Sequence, residues 1–167
     1  MKKFIFIVLA LPLFCWSQIQ VATTTTDLAA IVKAVGKDKV SVFSIAKGTQ
    51  DPHQIEAKPS FMVKLRSTDL VIAHGLELES AWIKPLIQGS RNPKLLTTEG
   101  YMELAANLDP IEIPKGDISR AEGDVHPGGN PHFQLDPIRL GKAAMLIAQR
   151  LSELNPVQKD FFMKNAE

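Results

Sequence analysis

The segment Asp69-Leu70-Val71-Ile72-Ala73 is a short apolar run that opens on a single acidic residue. A run of this length and composition is typical of a strand that is buried on both faces of its sheet. Strands of this kind occur in parallel sheets, where helices cover both faces and keep them away from water. The segment therefore predicts an α/β fold built on a central parallel sheet.

Strand-like and helix-like patterns alternate on both sides of this segment. The predicted strands are residues 19–24, 40–46, 69–73 and 94–97. Helical spacing of apolar residues predicts helices at residues 28–35, 59–66 and 79–87, with two more after Pro137 and Pro156, and residues 100–108 should form a helical turn at best. The alternation predicts a parallel four-stranded sheet with helices on both faces and right-handed crossovers.

Length and composition fit one globular domain. The chain has 167 residues, 45% of them hydrophobic and 22% charged, and a formal net charge of +1. Both fractions are ordinary for a soluble fold, and the length suits a single domain. No run of like charges is present, so nucleic acid is not expected as a partner.

The first residues have the pattern of a secretory signal peptide. Residues 1–3 carry two lysines and residues 4–14 are apolar, a stretch too short to span a bilayer. We therefore predict a signal peptide at residues 1–17 and an extracytoplasmic mature protein. A lipid anchor on Cys15 is the less favoured alternative, because Phe14 is bulky where lipoprotein signals carry a small residue. Cys15 is the only cysteine, so a metal in the mature protein would be held by nitrogen and oxygen ligands.

Two of the four histidines, His126 and His132, lie in the stretch Gly123-Asp-Val-His-Pro-Gly-Gly-Asn-Pro-His-Phe-Gln-Leu-Asp-Pro137. Its glycines and prolines predict a loop, and loops of this kind often carry function. The alternative is a surface turn with solvated histidines. The spacing of the two histidines is too loose to specify a metal site by itself.

Polar residues follow each predicted strand. They are the threonines at 23–26, His53, His74 and the threonines at 97–98. In parallel sheets ligands bind beyond the carboxyl ends of the strands, so these residues should share one edge. Imidazole is a common zinc ligand, and a ligating histidine needs an acceptor on its second nitrogen.

Two aspartates could supply that acceptor. Asp51 precedes His53 by two residues and Asp136 follows His132 by four, and the sequence does not show which of them serves a histidine. The chain contains no His-Glu-x-x-His helix, no Gly-x-Ser-x-Gly elbow and no phosphate-binding loop. Three common enzyme motifs are therefore absent from the sequence.

Three segments together resemble a known family. They are Asp51-Pro-His-Gln-Ile-Glu56 with Pro59-Ser60, then Thr68-Asp-Leu-Val-Ile-Ala-His-Gly-Leu-Glu-Leu-Glu-Ser-Ala-Trp82, then Gly129-Asn-Pro-His-Phe-Gln-Leu-Asp-Pro137. In this order they resemble the N-terminal half of the zinc/manganese substrate-binding proteins of bacterial ABC transporters. Those proteins have two lobes joined by a rigid helix, and the resemblance runs from about Ile19 to the last residue.

The resemblance implies a division of the chain and two metal ligands. Residues 18–155 would be the N-terminal metal-binding lobe, and residues 156–167 the start of the linking helix of a truncated protein. His53 and His132 match the two metal ligands of that lobe, while the remaining ligands belong to a C-terminal lobe. Gln134 stands where the family commonly has an aromatic residue, which leaves the ligands unaffected.

The other two histidines have different expected roles. His74 is predicted to be a hydrogen-bonded histidine at a strand end. His126 is expected to be an exposed turn residue that captures metal transiently at most, and it is not predicted as a fixed ligand.

The resemblance implies an extracytoplasmic, monomeric metal receptor. It would bind zinc, or alternatively manganese, as transported ligand and deliver it to a membrane permease. A secreted metal-dependent hydrolase with the same histidines around an activated water is the alternative, although no motif supplies its general base. A metal-linked adhesin is a third possibility. Two imidazoles leave an ion half-coordinated, so this lobe alone is expected to bind zinc weakly.

Overall fold

A parallel sheet of four strands forms the centre of the molecule, as predicted. The computed structural model describes residues 17–116, 123 and 125–167, so the predicted signal peptide lies outside the described residues except for Ser17. The strands are β1 (Ile19–Thr23), β2 (Val40–Ser44), β3 (Leu70–Ala73) and β4 (Tyr101–Glu103). Their order across the sheet is β2-β1-β3-β4, and every pair is parallel.

Helices cover both faces of the sheet. They are α1 (Thr26–Gly36), α2 (Pro59–Leu65), α3 (Ile83–Ser90), α4 (Pro137–Leu154) and α5 (Lys159–Ala166). Successive residues of a strand point to opposite faces, so Val21 and Ile72 join a core under α1, α4 and α5, whereas Ala22 and Val71 join one under α2 and α3. All four residues of β3 have no exposed surface, which confirms a strand buried on both faces.

The fourth strand was predicted at the wrong place. Residues 94–96 belong to a short 3-10 helix, Pro93–Leu96, which is not part of the sheet. The side chain of Asn92 accepts a hydrogen bond from the backbone N–H of Lys94 at 3.1 Å. Proline next to such a cap favours a helical turn over an extended strand.

The fourth strand is β4, which pairs with β3 through Val71 and Tyr101. Gly100 precedes it, and a Cβ atom there would lie 2.1 Å from the carbonyl oxygen of Lys94. Only glycine lets the 3-10 turn approach the strand so closely. The helical turn expected at residues 100–108 is reduced to Ala105–Asn107.

The strand order places a switch point beside β1. The chain passes from β1 to β2 on one side and returns to β3 on the other. Ligands of open parallel sheets bind at such a point, beyond the carboxyl ends of the strands. Thr24 and His74 directly follow β1 and β3 at this edge. Among the described residues, the helices are all too short or too polar to cross a membrane.

Candidate metal centre

Three histidines converge beyond the carboxyl edge of the sheet. His53 lies on the loop after β2, and His126 and His132 lie on the loop between β4 and α4. One ring nitrogen of each lies within 4.8 Å of those of the other two, and all three side chains are half-buried. In the described part of the chain, no other group of three histidine, cysteine or acidic side chains is close enough to share an ion. We call His53, His126 and His132 the histidine cluster.

Asp51 orients the ring of His53. Its Oδ1 accepts hydrogen bonds from the backbone N–H of His53 at 2.9 Å and from Nδ1 at 2.8 Å. These two donors, the backbone first, hold the pKa of the Asp51 carboxyl below its ordinary value. Because a carboxylate only accepts, Nδ1 carries the proton and Nε2 keeps its lone pair. Nε2 is therefore the nitrogen that His53 can offer to a metal.

The loop that carries His53 rests on the start of α3. The indole Nε1 of Trp82 donates a hydrogen bond to the carbonyl oxygen of Pro52 at 2.8 Å. Ile55 is buried in the core under α2 and α3 on the other side of His53. Contacts on both sides of the histidine hold its backbone in place.

His126 is brought to the cluster by a tight turn. The backbone N–H of Gly129 donates to the carbonyl oxygen of His126 at 3.1 Å, which closes a β-turn with Pro127 in its second position. Gly129 has a φ of +103°, and a Cβ atom there would lie 2.8 Å from the carbonyl oxygen of Ile111. Both the positive φ and the lack of space for a Cβ atom require glycine at this position.

His132 follows this turn and precedes α4. Its backbone N–H donates to Oδ1 of Asn130 at 2.9 Å, and Asn130 Nδ2 donates to Glu112 at 2.8 Å. The next residue, Phe133, is buried in the core under α4. Asp136, one of the two acceptors considered from the sequence, caps α4 by accepting from Ile138 N–H at 2.9 Å.

His74 has a structural role, as predicted. It is 1% exposed, and its Nδ1 lies 3.2 Å from the carbonyl oxygen of Pro131. Its Nε2 lies 2.9 Å from Thr25 Oγ1 and 3.5 Å from Asp27 Oδ2. Burial of Asp27 opposes ionisation, yet the hydrogen bonds from His74 and Thr25 lower its pKa to about 2. Both ring nitrogens of His74 are thus engaged, and the ring supports the residue before His132.

Sequence reasoning missed the role of Glu79, which was expected to begin a helix. This carboxylate is 2% exposed and accepts from the backbone N–H of His74 at 2.9 Å, from Gly75 N–H at 3.0 Å and from Thr24 Oγ1 at 2.6 Å. A buried carboxylate is tolerated only with such partners. Glu79 thus links the end of β3 to the end of β1 through hydrogen bonds. The helix that was predicted to begin at Glu79 begins at Ile83.

The sequence predicted two members of the cluster and treated the third as an exposed turn residue. His53 and His132 do come together, and His126 lies with them, its Nε2 3.2 Å from Nε2 of His53. The spacing of His126 and His132 gave no indication of this proximity. The usable signal was the Pro127-Gly128-Gly129 turn, which reverses the chain between them. Imidazole nitrogens suit zinc, copper, iron and nickel, so the cluster can bind a divalent transition metal.

Comparisons with known proteins identify a matching family and similar chains. The profile of the family described as "Zinc-uptake complex component A periplasmic" matches residues 21–167. A relative from Streptococcus cristatus, named metal ABC transporter substrate-binding lipoprotein ScbA, is 31% identical over 152 residues, or 89% of this chain. The manganese ABC transporter substrate-binding lipoprotein PsaA of Streptococcus pneumoniae serotype 4 is 29% identical over 151 residues.

Solved structures share the fold. A crystal structure of ZnuA superposes with a TM-score of 0.72 at 26% identity, covering 90% of this chain and 54% of that one. The Mn-bound periplasmic metal binding protein from Candidatus Liberibacter asiaticus has a TM-score of 0.70 at 20% identity, covering 89% of this chain and 50% of that one.

The chain spans about half the length of these relatives, 46% in the two streptococcal proteins. The profile match nevertheless covers nearly all of the described residues. The chain therefore belongs to the family of the periplasmic zinc-uptake complex component A.

Proposed function

We propose that this chain is the metal-binding lobe of an extracytoplasmic substrate-binding component of an ABC transporter. It captures a divalent ion at His53 and His132 and presents it to a membrane permease, and it is not an enzyme. The observation that carries the proposal is the meeting of these two histidines at the carboxyl edge of the sheet, with Asp51 bound to Nδ1 of His53 and Nε2 directed into the histidine cluster.

The partial burial of the ligands suits capture followed by release. The side chain of His53 is 22% exposed, so an ion bound there stays accessible to further ligands. Zinc is the preferred ion because affinity for nitrogen ligands rises from manganese towards zinc, and manganese is the alternative ion. Acidification should weaken binding, since a histidine must lose its proton to bind a metal.

A hydrolytic function has less support. A metal hydrolase needs a general base within reach of the activated water. Asp51 is the acid nearest to His53 in the chain, and its Oδ1 is already engaged by the backbone and ring of His53. The two streptococcal relatives are named as transport proteins, which supports a receptor rather than an enzyme.

We also propose that the protein is exported and acts as a monomer. The two streptococcal relatives are named as lipoproteins, which makes Cys15 a position to test directly. The intact mass of the exported protein decides between cleavage near Ser17 and a lipid on Cys15. In a sedimentation experiment the same sample should have the mass of a monomer.

Calorimetric titration tests the proposed metal function. The chain is titrated with Zn²⁺ and with Mn²⁺, as wild type and as His53→Ala, His132→Ala and the double variant. The matched control is Gln54→Ala, an exposed neighbour of His53. We expect one bound Zn²⁺, weaker Mn²⁺ binding and at least a roughly 10-fold loss of zinc affinity in each single histidine variant.

Two results would contradict the proposal. The first is unchanged zinc binding by the double variant, which would place the ion elsewhere. The second is hydrolysis of ester or peptide substrates by the zinc-loaded protein that disappears with His53→Ala. That result would favour the hydrolase.

A further inference from the structure

We propose that His126 is a third metal ligand, so that this single lobe holds zinc with three imidazoles. The inference rests on the proposed metal function and adds a ligand that lies outside the resemblance described above. It replaces the expectation that His126 is an exposed turn residue. It also replaces the expectation that the lobe alone binds zinc weakly.

The spacing of His53 and His126 is the first argument. Their Nε2 atoms lie 3.2 Å apart, with the ring centroids at 5.3 Å and the ring planes 19° apart. Two nitrogens bound at about 2.0–2.1 Å to one tetrahedral zinc ion lie roughly 3.4 Å apart. The pair therefore already has the separation that a shared ion requires.

His132 approaches this pair from another direction. Its ring centroid is 6.0 Å from that of His53 and 6.2 Å from that of His126, so it lies almost equally far from both. Its plane is tilted by 58° and 72° to the two other rings. Three imidazoles arranged around a point leave one side open, which is the pattern of zinc sites that keep a fourth position for another ligand.

The backbone around His126 is already organised for this role. The turn hydrogen bond from Gly129 holds the carbonyl of His126, and Asn130 N–H donates to the carbonyl oxygen of Ile111 at 2.8 Å. The loop therefore loses little conformational freedom when an ion binds, which favours affinity. Three nitrogen ligands also favour zinc over manganese, which prefers oxygen.

The test is a competition titration of the 167-residue chain for Zn²⁺ against a chromophoric chelator. Wild type is compared with His126→Ala, His53→Ala and His132→Ala, and with Val125→Ala as the matched loop control. We expect each histidine variant to lose at least a roughly 10-fold factor in zinc affinity and the control to keep wild-type affinity.

Cobalt supplies a readout that a loss of loop structure would not imitate. Co²⁺ in a tetrahedral site absorbs visible light far more strongly than hydrated Co²⁺. We expect this absorption in wild type, its loss in His126→Ala, and a new thiolate-to-cobalt band in His126→Cys relative to wild type. The new band would place residue 126 in the coordination sphere.

The outcomes separate the two proposals. Wild-type affinity in His126→Ala together with weakened binding in His53→Ala overturns the third ligand and leaves the proposed function standing. Wild-type affinity in all three histidine variants overturns both. A His126→Cys variant that binds cobalt without a thiolate band also overturns the third ligand.

Discussion

At the scale of single residues, Asp51 decides which nitrogen of His53 faces the cluster. Its carboxylate accepts from Nδ1 at 2.8 Å, and Nε2 then points towards His126. The sequence placed Asp51 near His53 but offered Asp136 as an equal candidate for such a role. Asp51 rather than Asp136 accepts from His53 because of the local turn, in which Gln54 N–H donates to the carbonyl oxygen of Asp51 at 3.2 Å.

We expect Asp51→Asn to weaken zinc binding by about 10–100-fold, because the carboxylate that orients a ligating histidine and raises its basicity is replaced by a neutral amide. Competition titration of the folded variant measures the effect. Asp38→Asn makes the same change of charge at an exposed aspartate that pairs with Lys39, and it should leave zinc affinity unchanged. Equal effects of the two substitutions would show that only the overall charge matters.

Asp27 stabilises the fold at neutral pH through His74. Its pKa is lowered from 3.8 to about 2, so this contribution is present above about pH 4 and is lost as the pH falls through about 2. The side chain is 34% exposed, so solvent screening reduces the contribution to roughly 1 kcal/mol. Asp27→Asn should therefore lower the free energy of unfolding at pH 7 by about this amount and have little effect at pH 2. Urea denaturation at both pH values measures this, and an equal loss at both would argue against an ionised Asp27 as the cause.

At the scale of elements, the turn before His132 depends on glycine and α4 does not. Gly129 has a positive φ and no room for a Cβ atom, whereas Gly141 lies exposed on α4, where an added Cβ atom would meet nothing within 4 Å. The two glycines therefore predict opposite results for the same substitution.

We expect Gly129→Ala to lower the free energy of unfolding by roughly 1–3 kcal/mol and to weaken zinc binding, because the turn must shift. Gly141→Ala should raise the free energy of unfolding by roughly 0.5–1 kcal/mol and leave zinc binding unchanged. Chemical denaturation and zinc titration of both variants provide the measurements. Destabilisation by Gly141→Ala, or unchanged zinc binding in Gly129→Ala, would be the contrary result.

The strands also show which elements a sequence pattern is sufficient to predict. Strand β3 was predicted from an apolar run, because burial on both faces requires such residues, and β1 was predicted from a short β-branched stretch. Residues 94–97 were mistaken for a strand because Leu95 and Leu96 form an apolar pair typical of one. The helical turn found there is capped by Asn92, whose side chain is held by hydrogen bonds to the carbonyl oxygens of Leu65 and Thr68, and these are contacts between residues far apart in the sequence. The proximity of His126 to His53 was also missed because it depends on a contact between distant residues: the loop folds back so that Asn130 N–H donates to the carbonyl oxygen of Ile111.

At the scale of the whole molecule, α5 is joined to the rest of the fold by both apolar and polar contacts. Phe162 has no exposed surface and lies in the core with α1 and α4. Asn165 Nδ2 donates to the carbonyl oxygen of Val35 at 2.9 Å. Residues 156–167 were expected to start a linking helix. In the structure residues 159–166 form α5, and Phe162 of α5 lies in the core with α1 and α4.

We expect Phe162→Ala to lower the free energy of unfolding by about 3–5 kcal/mol, because it leaves a cavity in the core. Val157→Ala, at a side chain that is 71% exposed, should change it by less than about 0.5 kcal/mol. Thermal or urea denaturation compares the two. A small effect of Phe162→Ala would mean that α5 packs only loosely on the lobe.

We propose that a divalent metal binds at His53 and His132. Long-range ¹H–¹⁵N correlation spectra of the histidine rings, recorded during a Zn²⁺ titration of the 167-residue chain, test it most directly. We predict that the ring nitrogen signals of His53 and His132 shift together until one equivalent is bound, while those of His74 stay in place. If the His53 and His132 signals do not move, or if the His74 signals alone respond, the metal does not bind at His53 and His132 and the proposed site is wrong.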